Sequence, residues 1–569
     1  MANLNFKLNT ENTYDAIVVG SGISGGWAAK ELCEGGLKTI MLERGRDVKH
    51  VKDYPTANLD PWDMKYKGFL SAEEKVNYDP NRRNHYSVKE TTKHFFTNDK
   101  EHPYNETKRF DWLRGYHVGG RSLTWGRQSY RLSPMDFEAN KKDGHGVDWP
   151  IRYKDIAPWY DKVESFIGVS GSMEGLEQLP DGKFQPAFEL TCVEQKVKEG
   201  IEANYEERNL IIGRCAHVTG ELEGRTQCQS RSRCNRGCPY GGYFSTQSST
   251  LPAAMATGNL TLRPDSVVAE VLYDPDTEKA TGVRVIDKNT KEEMVFKAKV
   301  IFLNASAIAS TSLLMNSKSD RFPDGLGNDS GELGHNLMDH AMGGRAYGTV
   351  EGFEDKYYKG KRPTGFYIPR FVNLNEKTKA DNFIRGYGYQ GSGRRSGYQR
   401  GKNDFSYGED FKNEMLDPGS WGIGVGGFGE CLPYHENKIS LNYEKLDNWG
   451  LPTVTFDAEF KENEKNMVDH MAQQAGEMLE AAGVKNVYAS SNITTIGLGI
   501  HEMGTARMGR DPKTSVLNEW NQVHAAKNIF ITDGACMTSS ACQNPSLTYM
   551  AITARAANYA VELFKKNEL

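Results

Sequence analysis

Tyr14-Asp15-Ala16-Ile17-Val18-Val19-Gly20-Ser21-Gly22-Ile23-Ser24-Gly25 decides how the N-terminal part of this chain folds. Residues 15–19 form a short apolar run with the length of a buried strand. A Gly-x-Gly-x-x-Gly loop follows at once. Residues 26–37 then read as a helix ending in Gly35 and Gly36, and residues 38–42 as a second strand with Glu43 at its end. This is a strand–helix–strand unit with a dinucleotide fingerprint in place. Gly20 permits the tight turn, Gly22 lets the backbone approach a pyrophosphate, and Gly25 lets helix and strand pack closely. The helix N-terminus offers free N–H groups and a partial positive charge to phosphates. Glu43 can accept hydrogen bonds from an adenosine ribose, and an acid there suits a free 2′-hydroxyl. The motif does not decide between NAD and FAD.

At 569 residues the chain exceeds what one core serves, so two or more domains are expected. A net charge of −5 removes the electrostatic case for a nucleic-acid partner. With a mean hydropathy of −0.64 and no apolar run of roughly 18 residues, no membrane-spanning helix is expected. The start, Met1-Ala2-Asn3-Leu4-Asn5-Phe6-Lys7, lacks a basic-then-apolar export pattern. Either a cytoplasmic location follows, or export as the folded passenger of another subunit.

Residues 47–109 read as long polar and aromatic excursions with short helices. Gly115, Gly119, Gly120 and Gly126 then imply backbone pressed against something flat or charged. Amphipathic helices are expected over 156–169, 193–205 and 462–482, a small antiparallel sheet over 260–299, and a buried strand at 300–304 before the small-residue turn 305–310. Strand-like runs between 342 and 497 suggest a separate sheet-based domain whose loops set specificity. The end is again dense in signals: His501-Glu502-Met503-Gly504, a strand closing on Asp533-Gly534, and Asn544-Pro545-Ser546 heading a last helix, with Asn544 suited to the N-cap.

Of nine cysteines, Cys215, Cys228, Cys234 and Cys238 crowd one loop-like segment, which points to a metal site rather than a disulfide framework. The spacing Cys228-x5-Cys234-x3-Cys238-Pro239 lacks the two-residue gaps of zinc fingers, and a proline after the last cysteine recurs in ferredoxin-type runs. The residues alone leave an iron–sulfur cluster, zinc, and buried thiols or a disulfide open. They also leave Cys215 as either a fourth ligand or a bystander.

Taken together, the Gly20–Gly25 loop with Glu43, Gly119-Gly120-Arg121-Ser122, residues 305–310, Gly334-His335-Asn336-Leu337-Met338-Asp339-His340, residues 501–509, and Asp533-Gly534 with Asn544-Pro545 resemble the glucose–methanol–choline (GMC) flavoprotein oxidoreductases over nearly the full chain. The resemblance is strongest to the branch of glucoside 3-dehydrogenases, gluconate and fructose dehydrogenase large subunits, and pyranose oxidases. It implies an α/β fold: a Rossmann-like FAD-binding domain (1–50, 110–150, 200–341 and 498–569, with the Cys-rich segment 213–245) and a second, sheet-based α+β substrate domain (51–109, 151–199 and 342–497). FAD is expected to be non-covalent, because Thr124 stands where related oxidases carry an attaching histidine, although His117 is near. The cofactor-binding set implied is Gly20, Gly22, Ser24, Gly25, Glu43, Gly119, Gly120, Ser122, Val267, Asp533, Gly534 and Pro545. Asp533 and Gly534 are expected at the ribityl-phosphate, and the Val267 backbone at the adenine.

Oxidising an alcohol needs a base for the hydroxyl proton and an acceptor for the carbinol hydride. The resemblance makes His501 the base and Asn544 the holder of the substrate oxygen. It also implies a 3Fe–4S cluster on Cys228, Cys234 and Cys238, with Arg231, Arg233 and Arg236 offsetting thiolate charge. The expected activity is a dehydrogenase that oxidises a glucoside or pyranose at a secondary hydroxyl, most simply carbon 3, and passes electrons to a cytochrome c or other acceptor. A small signal-bearing subunit would carry it to the periplasm, the alternative being cytoplasmic. No Cys-x-x-Cys-His motif is present, so no c-type haem is attached to this chain. The rival reading is an oxygen-using pyranose or C-glycoside oxidase without a cluster; an idle flavoprotein subunit is disfavoured by the intact His501 and Asn544. Tyr387, Tyr389, Gln390, Arg394 and Arg395 are either sugar contacts or a solvated turn.

Overall fold

Ala16–Val19 is buried at every position because it is flanked on both sides: it pairs in parallel with Thr39–Leu42 and with Val300–Leu303. The computed structural model describes residues 12–84, 87–357, 364–397, 400–401 and 406–569. The first sheet continues through Leu260–Arg263 beyond Thr39–Leu42, and through Ala526–Ile531 and Gln522–Val523 beyond Val300–Leu303. Only the outermost pair, Gln522–Val523 with Ala526–Ile531, is antiparallel. Strand order runs outward in both directions from Ala16–Val19, which makes this a doubly wound sheet with a crevice at its carboxyl edge.

Helix Ile23–Glu34 begins three residues earlier than the sequence predicts, with Gly22 at its N-cap and no side chain capping it. The glycines allow this. A Cβ on Gly25 would lie 2.0 Å from the Gly20 carbonyl oxygen, and one on Gly20, at φ +93°, would lie 2.4 Å from that of Asn304. This helix packs against the last one, Ser546–Lys565, which also receives Tyr153–Ile167.

The second sheet has six antiparallel strands, in the order Lys485–Ser491, Ala341–Val350, Trp421–Gly429, Tyr387–Arg395, Phe366–Ile368 and Ile211–Ile212. Ile211–Ile212 is thus built into this sheet although sequence grouping puts it with the first domain, and Tyr153–Ile167 packs on the first domain's last helix although grouped with the second. Trp421–Gly429 alternates strictly between buried and half-buried positions. On its buried face Gly427 and Gly429 leave room for Met471 of helix Glu462–Ala481. On the other face a Cβ at Gly422, Gly424 or Gly426 would meet no atom nearer than 3.5 Å, and Gln390 sits directly across from Gly426. The sheet therefore carries a bare strip beside Gln390.

Candidate active site

A cavity of about 390 Å³ opens where the central strands of the first sheet end. Gly20, Ser21 and Gly22 after the first strand, Glu43 after the second, and Asn304 after Val300–Leu303 line it, and so do His501 and Asn544. Gly22 is bare towards it, since a Cβ there meets nothing within 4 Å. Asn304 Nδ2 and Tyr549 Oη are buried, border the cavity and have no hydrogen-bond partner among the described residues. An uncapped helix N-terminus, an open approach at Gly22 and two unpaired polar groups fit a dinucleotide. Because Gly22 has space on its own side, Gly22→Val is expected to fold with an unchanged apo-protein melting temperature. Cofactor bound per chain should fall at least about tenfold, the branched side chain filling the phosphate approach.

Glu43 has a second task. Its Oε2 accepts from the Ser21 N–H (3.2 Å) and hydroxyl (2.5 Å), and its Oε1 from the Gly45 N–H (2.9 Å), so it braces the glycine loop. Burial pushes its carboxyl up against these bonds. Ser24, Gly120, Ser122, Asp533 and Gly534 border the cavity. Gly25, Gly119, Val267 and Pro545 do not line it. The Val267 side chain packs with Ala269 and Ile286, while its neighbours Ser266 and Val268 face the cavity. A Cβ on Gly119 would strike the Gln247 amide at 2.0 Å.

His501 is held by a buried carboxylate. Asp339 Oδ1 accepts from the main-chain N–H of His501 (3.1 Å) and His340 (2.8 Å), and Oδ2 from those of Gly497 (2.8 Å) and Gly499 (2.9 Å). Burial, with Glu502 near, pushes Asp339 up to about 7, and main-chain N–H donors pull the other way. Ile500 lies at φ +57°, a strained conformation for a β-branched residue, and these bonds on either side hold it. His501 Nδ1 lies 2.9 Å from His340 Nδ1, the rings meeting edge-on at 81°. His340 Nε2 lies 3.0 Å from the carbonyl oxygen of Ala541, itself at φ +53°. Burial, then the charges of His340 and Arg121, drive His501 well below its ordinary value, and burial brings His340 down to about 4. Both rings are neutral near pH 7.

Asn544 does not cap the last helix. That helix starts at Ser546 with Pro545 at the N-cap and no side-chain cap. Gln390 Nε2 instead donates to Asn544 Oδ1 at 2.6 Å. With its oxygen engaged, Asn544 presents its Nδ2 donors, which suits holding an oxygen on which negative charge develops.

Residues 14–342 match the N-terminal, and residues 433–553 the C-terminal, GMC oxidoreductase family model. The chain belongs to the GMC oxidoreductase family. GMC proteins bind FAD and act on CH–OH groups of alcohols and sugars. The chain is 28% identical to 2-methyl-1,2-propanediol dehydrogenase of Mycolicibacterium austroafricanum, covering 97% of this chain and 95% of that protein. It is 26% identical to paromamine 6'-oxidase of Streptomyces fradiae (96% and 91%) and 25% identical to the fructose dehydrogenase large subunit of Gluconobacter japonicus (96% and 97%). In fold it is similar to the crystal structure of pyridoxine 4-oxidase from Mesorbium loti, with a TM-score of 0.60 at 15% identity over 96% of this chain and 98% of that one.

Of the five residues proposed as sugar contacts or turn, Gln390 reaches Asn544, and Arg394 lies across from Gly422 at the other end of the bare strip. The Tyr387 hydroxyl bonds His470 Nδ1, Tyr389 donates to the Met471 carbonyl, and Arg395 bonds main-chain oxygens including that of Glu354. All five belong to the strand Tyr387–Arg395. His117 is buried on the Val118 carbonyl and Phe95, whereas Thr124 borders the cavity. The cysteine loop does not close on a metal. Cys234 Sγ faces His217 Nε2 at 3.8 Å, and Cys228 Sγ accepts from the Ser230 N–H at 3.4 Å. Cys215 is buried beside the Ser170 hydroxyl. Among the described residues no three His, Cys, Asp or Glu groups converge to hold an ion, and burial pushes the Cys228 thiol up to about 11. Arg231, Arg233 and Arg236 turn instead to the segment 56–60, bonding Ala57, Asp60 and Leu59. Cys215, Cys234 and Cys238 all lie within electrostatic reach of Cys228, without closing on a single ion.

Proposed function

We propose that this GMC enzyme oxidises a secondary hydroxyl, carbon 3 by preference, of a glycoside or related pyranose to the keto sugar. The observation that carries the reading is the convergence on one cavity of a neutral, unprotonated His501 and an Asn544 whose oxygen is already engaged. Bound FAD supplies the hydride acceptor. Gly20, Gly22, Ser24, Ser122, Asp533 and Gly534 would hold it, with no covalent link. His501 takes the hydroxyl proton on Nε2. Asn544 Nδ2 donates to the substrate oxygen as charge builds there. The bare strip of Gly422, Gly424 and Gly426 gives a ring room beside Gln390. Sugar-directed relatives, fructose dehydrogenase and the gluconate 2-dehydrogenase flavoprotein of Pantoea cypripedii, support the substrate class.

The reading extends to export of electrons to a cytochrome c or other acceptor, with a signal-bearing small subunit and a periplasmic location; the fructose dehydrogenase relative being a large subunit supports the multi-subunit assembly alone. The position of Asn235, next to Cys234, on the cavity wall supports the cysteine loop as the exit side. Oxygen as the acceptor is the second reading, favoured by the unconverged thiols. Anaerobic mixing of the FAD-loaded protein with methyl glucosides is expected to bleach the flavin bands and yield a keto glycoside. About three irons with acid-labile sulfide per flavin support the cluster. Flavin alone, with peroxide formed in air, supports the oxidase. A flavin that no glycoside or sugar reduces sinks the proposal.

A further inference from the structure

The paired rings of His340 and His501 fix more than their distance. The Ala541 carbonyl can only accept, so His340 Nε2, 3.0 Å away, carries a proton and donates it. A neutral imidazole protonated on Nε2 has a bare Nδ1. The side chain that meets that Nδ1 is His501, whose Nδ1 lies 2.9 Å away and must therefore carry the proton of this bond; the Ser540 carbonyl, which also acts on the His340 ring, is a main-chain acceptor like that of Ala541. His501 in turn is left with a bare Nε2, and among the described residues nothing hydrogen-bonds to it. From this chain of donors and acceptors we infer that His340 is a positioning residue that locks His501 in the Nδ1–H tautomer, so that the lone pair of Nε2 faces the substrate hydroxyl.

The inference rests on His501 being the base and adds what makes it one. The opposite tautomer would point an N–H at the hydroxyl proton and could accept nothing. Two features keep the relay in one direction. Both imidazoles are buried, and their depressed affinity for protons keeps them neutral, so neither becomes a double donor. The anchor is main chain, and a carbonyl cannot reverse its role as a hydroxyl could. His340 is fixed in turn by its place: its own N–H is tied to Asp339, and Ala341–Val350 begins directly after it. The segments bearing Ile500 and Ala541, both at positive φ, are thereby joined through one dipeptide, Asp339-His340.

Two substitutions separate this role from simple bracing. Asn at 340 places an amide oxygen near the position of Nδ1 and keeps the acceptor for His501, but does not reach Ala541. Gln at 340 reaches Ala541 with its amide and leaves Nδ1's place without the acceptor. On the FAD-loaded enzyme, H340Q is expected to lose about 10²-fold or more in kcat with a smaller change in KM, since a base in the wrong tautomer forfeits most of its contribution. H340N is expected to turn over at least about tenfold faster than H340Q. A bracing role demands the reverse order. Nitrogen-15 histidine NMR of the same proteins, with His501 identified by its absence in H501N, gives a readout independent of turnover. The Nδ1–H pattern is expected in wild type and H340N and its loss in H340Q. H340Q equal to or faster than H340N, or an Nε2–H pattern for His501 in wild type, overturns the inference. Normal turnover by H501N would instead overturn the base assignment itself, and so the two failures are told apart.

Discussion

Replacing His501 with Asn is expected to lower kcat by about 10²–10⁴-fold, the share a positioned general base contributes, while bound flavin and melting temperature stay near those of wild type. The substitution is chosen because the Asn amide can still donate to His340 Nδ1, as His501 Nδ1 does at 2.9 Å. The main-chain bond to Asp339 is unaffected. What disappears is Nε2, the atom that receives the hydroxyl proton. The pH dependence follows with a definite sign. Burial, His340 and Arg121 all lower the proton affinity of His501, so the base stays unprotonated as pH falls. The acid limb of kcat/KM in the wild type should therefore lie below the ordinary imidazole value of about 6.5. An acid limb above that value, checked with a substrate that does not itself titrate, would contradict the buried-base account.

Asp339→Ala should be the most destabilising single change near the site. Four main-chain N–H groups, those of His340, Gly497, Gly499 and His501, lose their acceptor at once. An orphaned buried donor costs about 1–3 kcal/mol. Even with water entering the space to relieve half of that, a loss of about 2–6 kcal/mol is expected, a large share of the whole stability of many domains. The strained Ile500 keeps only its own N–H bond to the Gly497 carbonyl (3.0 Å) and a long contact from Arg121 to its carbonyl (3.4 Å), and Gly499 is already so close to Asp339 that a Cβ would lie 2.4 Å from its carboxylate. The expected result is a clear drop in melting temperature of the FAD-loaded protein and new protease cleavage between 497 and 501. Asp339→Asn, which returns one acceptor oxygen of two, should recover part of both. An Asp339→Ala protein that melts like wild type would show that the carboxylate does not carry the His501 segment.

The parts of this molecule that repeat general backbone chemistry were legible in the chain. A buried parallel strand, a glycine turn and a strand-end acid have one common arrangement, and residues 15–43 fold into it. Long amphipathic helices such as Glu462–Ala481 were legible too, because period and length agree. What escaped was set by partners distant in sequence. Asn544 before Pro545 reads as a helix cap, and only the arrival of Gln390, 154 residues earlier, shows its side chain turned elsewhere. Tyr387 and Tyr389 read equally as sugar contacts or as part of a solvated turn. Their ring faces belong to the core, where Phe371 and His470 meet them. Asp339 and His340 stood out only as a family motif. That one braces a loop and the other sets a proton depends on Gly497, His501 and Ala541, which no local pattern predicts.

Removal of hydrogen from a carbinol carbon, with His501 as base, is the work we propose for this cavity. Its most direct test is the first-turnover rate of flavin bleaching, mixed without oxygen, using a methyl glucoside carrying hydrogen or deuterium at carbon 3, in wild type and in His501→Asn. The account expects deuterium to slow bleaching in wild type and the His501→Asn protein, flavin loaded, to bleach about 10²-fold more slowly or less. Bleaching by His501→Asn at the wild-type rate would contradict it.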